Sequence, residues 1–456
     1  FGGAGTFAFD GAATDGDIFR DVTASINNTV ATDTSTRINV DAKSQGTVDS
    51  LAAVVAGSGK VAIGAGVAVN RIKGDTTASA KKNTFDLQNF VLRSDSNQTI
   101  NTIGAAGTGA GVGGGSGSFA YNELNNNTYA LVDGGSVLAK NNVGVVAQSD
   151  DCISNYAGIL SIGGTAGVGV SLGINYIDGT TKANIKNATV AAEGNSSTEK
   201  VTVNNKVDNS DIYDDYASID SIDLNFNLRN ERTSENLKGI TVDSSSTRTM
   251  KSFIASIAGG GTAAVNANVN VNYIGGKTEA TLENSTVNST LKVADSINVK
   301  ASDYTDSAAF IGSVAIGGGG SVGISPNNNR VERDTTAKID KLKSGSKASD
   351  VVVMANSKQG LSTLTAGAAG AGTGALAANS SVALLGGNTT AEITNSNLTV
   401  KSLDVYADHY ARAHVLAGSA ALTGVGAGGV AISVTNDKSH VKSQIATSTI
   451  SMNSNS

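Results

Sequence analysis

An all-β chain wound into a right-handed parallel β-solenoid is predicted by three observations: a fixed repeat, a strand landmark in step with it, and a composition unsuited to helices. The repeat is Thr-x-Ala-x-(aliphatic), seen at Thr76-Ala78-Ala80, Thr128-Ala130-Val132, Thr181-Ala183-Ile185, Thr278-Ala280-Leu282, Thr335-Ala337-Ile339 and Thr389-Ala391-Ile393. Degenerate copies stand at Val22-Ala24-Ile26 and Ser439-Val441-Ser443. The central positions 24, 78, 130, 183, 280, 337, 391 and 441 are 54, 52, 53, 97, 57, 54 and 50 residues apart. A period near 53 implies stacked units that bury their apolar surface against their neighbours.

The strand landmark alternates hydrophobic, any, hydrophobic, any, small. It occurs at Ile38-Val40-Ala42, Phe90-Leu92-Ser94, Val143-Val145-Ala147, Val201-Val203-Asn205, Ile297-Val299-Ala301, Val351-Val353-Ala355 and Leu403-Val405-Ala407. A further copy, Ile240-Val242-Ser244, falls inside the 97-residue step. There, 216–222 (Tyr-Ala-Ser-Ile-Asp-Ser-Ile) resembles 156–162 (Tyr-Ala-Gly-Ile-Leu-Ser-Ile) of the preceding unit. The chain therefore reads as one array over 1–456, with an irregular, shortened repeat at 206–239.

Composition agrees. The chain has 55 glycines, one proline, no tryptophan and 4% aromatic residues, while 39% of its residues are hydrophobic. Gly, Val, Thr, Asn and Ser are poor helix formers, and Val and Thr suit a pleated surface. Many small contacts and backbone ladders must then carry the stability.

Within a unit, a Ser/Ala/Ile strand such as 254–258 runs into a glycine cluster, here Gly259-Gly260-Gly261. A long alternating strand follows: Val168, Val170, Leu172, Ile174 and Tyr176 on one face, Gly167, Gly169, Ser171, Gly173 and Asn175 on the other. A polar turn, often Asp-Gly or Gly-Asn, delivers the Thr-x-Ala strand, and a turn with Asn or Gly leads to the landmark strand. The small face of the long strand permits close approach of another layer, so this strand is expected to be covered on both sides. In one unit Val265, Ala267, Val269 and Val271 alternate with Asn266, Asn268, Asn270 and Asn272. Those asparagines are either a solvated strand face or hydrogen-bonded ladders. Stacking at 4.7–4.9 Å gives about 40 Å for eight or nine wide coils, or about 80 Å for two narrow coils per period. Four strands per period point to the wide coil.

Charge excludes some functions. A net charge of -6 lacks the basic face that nucleic acid needs. The charged residues are scattered and read as a solvated surface. The single Cys152 permits no internal disulfide, so the array stands without staples. The chain starts at Phe1 with no visible leader, as expected of a segment cut from a longer precursor. Apolar runs such as 54–69 contain Gly57, Ser58, Gly59, Lys60, Gly64 and Gly66 and alternate with period two, so neither a spanning helix nor stable membrane insertion is expected.

The residues 167–177 (Gly-Val-Gly-Val-Ser-Leu-Gly-Ile-Asn-Tyr-Ile), 178–185 (Asp-Gly-Thr-Thr-Lys-Ala-Asn-Ile) and Val201-Thr202-Val203, preceded by an Ala/Gly-rich strand, resemble repeats of very large filamentous adhesins. The nearest likeness is to the fusobacterial leukotoxin family, exported by two-partner secretion, and it extends over nearly the whole chain. The resemblance implies a secreted or surface-attached rod that binds or damages host cells, leukocytes included, with an outer-membrane export partner for the full precursor. It supplies no catalytic residues.

The residues themselves offer little chemistry. His409, His414 and His440 lack a metal-ligand spacing, and no nucleophile elbow, P-loop or zinc-protease motif is present. No cofactor and no catalytic group are expected. The Gly-Gly-x-Gly strings lack the aspartates of calcium-binding solenoid repeats and read as close-packing glycines. A candidate ligand or cation site is Asp208, Asp211, Tyr213, Asp214, Asp215 and Tyr216, where carboxylates could supply oxygens and tyrosines an interface anchor. The segment 10–21, with Asp15-Gly16-Asp17, departs from a calcium-loop spacing and reads as a turn. The leading expectation is an adhesive rod. The rivals are a polysaccharide-active β-helix, a structural spacer, and membrane damage through a Gly/Val-rich hairpin.

Overall fold

The computed structural model describes residues 2–195, 200–207, 232–287 and 294–452, and within these every regular element is a strand. One sheet of 22 strands, hydrogen-bonded in parallel throughout, wraps around the molecule. Each residue sits above its counterpart one period earlier. Phe7 lies on Val61, Val61 on Gly113, Gly113 on Ala166, Ala166 on Ala263, Ala263 on Gly320, Gly320 on Gly374, and Gly374 on Gly426. One period is thus one wide coil. The coils begin near residues 2, 37, 89, 142, 240, 297, 350 and 402, and rise by about 34 Å from first to last.

The sequence landmarks fall on these ladders. Ala78, Ala130, Ala183, Ala280, Ala337 and Ala391 form one buried column, with the half-buried Ala24 beneath it and Ser443 as its cap. The degenerate last copy is therefore centred on Ser443, two residues later than the pattern suggested. Ile38, Phe90, Val143, Ile240, Ile297, Val351 and Leu403 form a second column. Val201-Val203-Asn205 does not belong to it. Its strand, Val201–Val207, pairs antiparallel with Arg232–Leu237 in a separate two-stranded sheet. Ile240–Gly260 stacks directly between 143–163 below and 297–317 above. The 97-residue step is then a single coil step, and its extra residues fall in the sequence between the strands ending at Ala192 and starting at Ile240. Of the shortened repeat expected at 206–239, residues 208–231 lie outside the described residues. Its described flanks run antiparallel and outside the coil stack.

Each coil has a wide end and a thin end. At the wide end the Thr-x-Ala strand and the landmark strand enclose the main core, which includes Phe85, Phe90, Leu92, Val145, Ile185, Leu282 and Ile339, each 2% exposed or less. Burying such a side chain contributes about 1.5–3 kcal/mol. The corner after each Thr-x-Ala strand is turned by a residue in the left-handed region. Asn28, Lys82, Gly134, Asn187, Asn284, Lys341, Asn395 and Thr447 all have φ between 45° and 73° there. Asparagine fills four of these corners because its short amide tolerates that conformation. The turn before the strand takes glycine where φ reaches 132° at Gly179, and a Cβ there would collide with the carbonyl oxygen of Asn126.

At the thin end the chain reverses at a glycine and comes straight back, so two sheets lie face to face as a blade. Little room remains between them. A Cβ added to Gly66 would sit 3.1 Å from the Ala52 carbonyl oxygen of the facing sheet. Two large residues fit opposite glycine: Ile159 reaches Gly169, and Ile254 reaches Gly173. This geometry overturns the expectation for the long alternating strand. Its small face (Gly167, Gly169, Ser171, Gly173, Asn175) is inside, and the opposite face is outside, with Val168 44% and Val170 46% exposed. The strand is covered on one side only. The same reversal decides the asparagine question: Asn266, Asn268, Asn270 and Asn272 are buried, while Val265 and Val271 face outward.

Candidate functional surface

Two features stand out from the repeat: a polar spine within the thin end, and the apolar outer skin around it. The spine is an asparagine ladder through five coils. Asn70 Nδ2 donates to Asn122 Oδ1 at 2.9 Å, Asn122 to Asn175 at 2.8 Å, Asn175 to Asn272 at 2.8 Å, and Asn272 to Asn329 at 2.7 Å. Gly16 lies below the first rung and Ala383 above the last. Each amide is both donor and acceptor, so identical residues one coil apart satisfy one another in a dry interior.

Next to the spine, toward the wide end, four charged groups are sealed inside. Arg333 Nε and Nη2 bond Asp303 Oδ1 at 3.0 and 2.5 Å, and Arg333 Nη1 donates to the Gly275 carbonyl oxygen at 2.8 Å. Its Nη2 also reaches Ser246 Oγ and Thr278 Oγ1. Arg248 donates to the carbonyl oxygens of Gly275 and Gly179, and its Nε is 3.4 Å from Asp151 Oδ2. All four side chains are 0% exposed. The expectation that the charged residues form a solvated surface fails here. Burial lowers the Arg248 pKa to about 10, aided by the like charge of Arg333. Burial raises Asp151 to about 6, against the pull of Arg248 and Ser149. The sequence signal existed: Asp151 and Arg248 share an inward column with Gln98 and Gln359, and Asp303 falls in a column of serines.

A raised carboxyl pKa has a definite sign. The folded state holds the Asp151 proton more tightly than the unfolded chain, whose aspartates titrate near 3.9. The stabilisation is complete below about pH 4 and is lost as pH rises through about 6. The urea midpoint is therefore expected to fall between pH 4.5 and pH 7. Asp151→Asn should flatten that part of the profile. An unchanged slope in the variant would remove Asp151 from the account.

The outer skin of the blade is apolar on both sheets. On one sheet an outward row runs Leu51, Ile103, Tyr156, Phe253, Phe310, Leu364 and Leu416. Phe253 and Phe310 stack at 4.9 Å. From that row to the edge, Leu160, Ile162, Ile257 and Ile316 are exposed by about half. On the other sheet Ile63, Val168, Val265, Ile324, Leu376 and Ile432 face out. Farther from the edge come Arg71, Glu123, Tyr176, Tyr273 and Arg330, with Tyr176 and Tyr273 stacked at 5.0 Å. Burial and the Asp178 acceptor raise the Tyr176 pKa, so its hydroxyl stays protonated.

The wide end, by contrast, carries ion pairs between successive coils, including Lys182–Glu279 at 2.9 Å and Lys338–Glu392 at 2.9 Å. Exposed pairs of this kind contribute about 0–1 kcal/mol each.

The candidate cation or ligand residues Asp208, Asp211, Tyr213, Asp214, Asp215 and Tyr216 lie outside the described residues. The segment with Asp15-Gly16-Asp17 is a strand, Phe7–Phe19, and not the expected turn. Asp17 pairs with Arg71 at 2.6 Å, and Gly16 faces inward beneath Asn70. The three histidines do not converge. His409 Nδ1 meets Thr389 Oγ1 at 3.2 Å, with its pKa lowered by burial; His414 accepts from Arg412; His440 lies over Asn388. Among the described residues no group of three or more His, Cys, Asp or Glu could hold a metal ion. Cys152 is half-buried on an outward column between Thr99 and Thr249.

These features define a class by shape: a wide-coil parallel β-solenoid with a charged, salt-bridged wide end and an apolar blade. No family model, curated protein or solved structure matches the chain.

Proposed function

We propose that this chain is a rod-like segment of a secreted or surface-attached bacterial exoprotein of the adhesin or leukotoxin kind, which binds host cells, leukocytes included. The observation that carries the reading is the repetition of outward columns. The row Leu51, Ile103, Tyr156, Phe253, Phe310, Leu364 and Leu416 places a large apolar side chain at the same position in seven successive coils, one coil rise apart. Weak contacts repeated in this way gain avidity without any deep pocket. An outer-membrane export partner belongs to the same reading, for the full-length precursor.

The polysaccharide-active alternative needs acids and bases that converge where a sugar chain can reach them. The convergent group, Asp151, Arg248, Asp303 and Arg333, is closed to solvent. That favours a rod over an enzyme. The test is flow cytometry of the labelled chain on neutrophils and epithelial cells, with a membrane-impermeant dye in the same tube. Saturable binding is expected. No binding to either cell type would sink the adhesive reading and leave a spacer.

A further inference from the structure

We infer that the thin end of the solenoid is a lipid-inserting blade, which enters the hydrocarbon of a bilayer edge first. It deepens the cell-contact reading by naming the chemistry of one contacted surface, and it requires no protein receptor.

Between the row of Leu51 and Phe253 and the edge, no outward side chain in any described coil is charged. On the returning sheet, rows 61 to 69 and their counterparts carry two charges, Asp10 and Asp15, both of the first coil. At the edge itself the turns are Gly111-Val112, Gly164-Thr165, Gly261-Thr262, Gly318-Gly319, Gly372-Thr373 and Gly424-Val425, and Lys60 is the one charged residue in this series. The uncharged depth is about eight residues, or about 26 Å at 3.3 Å per residue. The hydrocarbon core of a bilayer is about 30 Å. Tyr176, Tyr273 and Arg330 mark the boundary, the residue types that sit at headgroup level.

The first and last coils each keep one open strand edge; in the coils between them the backbone meets the second requirement. Hydrocarbon admits only chains whose N–H and C=O groups are paired internally. The blade strands are paired coil to coil, and the edge turns continue the ladder. Val112 N donates to Lys60 O, Thr165 N to Val112 O, Thr262 N to Thr165 O, Gly319 N to Thr262 O, and Thr373 N to Gly319 O, at 2.7–3.0 Å.

The area selects the occupant. Each apolar face covers roughly 850 Å², from about 26 Å of depth and about 34 Å of stack, where the largest patch on a monomer is about 300–600 Å². A second copy on one face would leave the other equally bare, and it would leave the edge uncovered. Lipid covers both faces and the edge at once. The expectation against insertion drawn from hydropathy applies to helices; among the described residues no helix is long and apolar enough to cross a membrane, and the blade is made of strands.

The test uses the whole chain and receptor-free phosphatidylcholine vesicles. The chain is expected to co-float with the vesicles, and Ile162→Asp with Val168→Asp to reduce that fraction at least tenfold with an unchanged circular dichroism spectrum. Independently of that variant's folding, a fluorophore on Ile162→Cys, in a Cys152→Ser background, should be quenched by bromine placed deep in the acyl chains. One on Lys186→Cys should not. A chain that stays at the bottom of the gradient, or an unquenched fluorophore at 162, overturns the inference. A defined oligomer abolished by the double variant, without flotation, assigns the faces to a second copy instead. Cell binding that persists without vesicle binding would sink the blade alone and leave the proposed function standing.

Discussion

Replacing Arg333 by methionine is expected to destabilise the coils around it by about 3–5 kcal/mol, the usual cost of removing one partner from a buried ion pair. The loss is large because Arg333 is a cross-coil staple. It holds Asp303 in its own coil and takes the Gly275 carbonyl, Ser246 Oγ and Thr278 Oγ1 in the coil below. Methionine would leave the Asp303 carboxylate without its bonded guanidinium and Ser246 Oγ and Thr278 Oγ1 without that donor, while the Gly275 carbonyl keeps Arg248. Adding Asp303→Leu should restore most of the loss, because a pair of apolar residues of similar volume removes the uncompensated charge. Urea unfolding gives the size. Hydrogen exchange gives the place: protection should fall first in 240–260 and 297–317, since a stacked array unfolds locally. A single-variant loss below 1 kcal/mol would mean that water already reaches the cluster.

Asn175→Ala is the second large effect, at about 2–4 kcal/mol. It removes the acceptor of Asn122 Nδ2 and the donor to Asn272 Oδ1, two buried groups that then lack partners at about 1–3 kcal/mol each. Its immediate neighbour provides the control. Ile174 faces outward, so Ile174→Ala should cost under about 1 kcal/mol. The ordering is the reverse of the usual one, in which isoleucine is core and asparagine surface. Equal costs, or a larger one for Ile174→Ala, would show that the strand faces the other way.

That reversal also marks the limit of the sequence. Period, strand type and corners were legible, because each depends on one residue type at a fixed phase: the buried alanine of Thr-x-Ala, the alternating landmark strand, the left-handed Asn or Gly. The wide coil was favoured by four strands per period, and the 52–57-residue pairing offsets establish it. Alternation alone does not say which face is inside. The rule that valine goes in and asparagine out presumes a core of ordinary thickness, and between two sheets as close as those at Gly66 and Ala52 only small or mutually bonded groups fit. The internal charges were missed for a related reason. Arg333 takes a place that is glycine in neighbouring coils, Gly276 and Gly387, and Asp303 one that is serine, Ser246 and Ser357. Each looks like an ordinary surface exchange until the two are seen to meet. Of the candidate site, the six residues from Asp208 to Tyr216 lie outside the described residues, and the sequence held no pattern for the blade beyond its missing charges.

The register of the stack has a kinetic consequence. Outside the 97-residue step the coil ladders pair residues 52–57 apart, so a first coil must close a long loop before any bond rewards it, whereas each later coil is laid on a template already formed. Folding of this kind is nucleation followed by elongation, slow to begin and quick to extend. A coil step lengthened to 97 residues, as between Ala183 and Ala280, adds only about 0.5 kcal/mol of closure entropy. Additions between coils therefore hardly slow the growing end, and a stack of this design can acquire insertions such as the one between Ala183 and Ala280 without losing its thread.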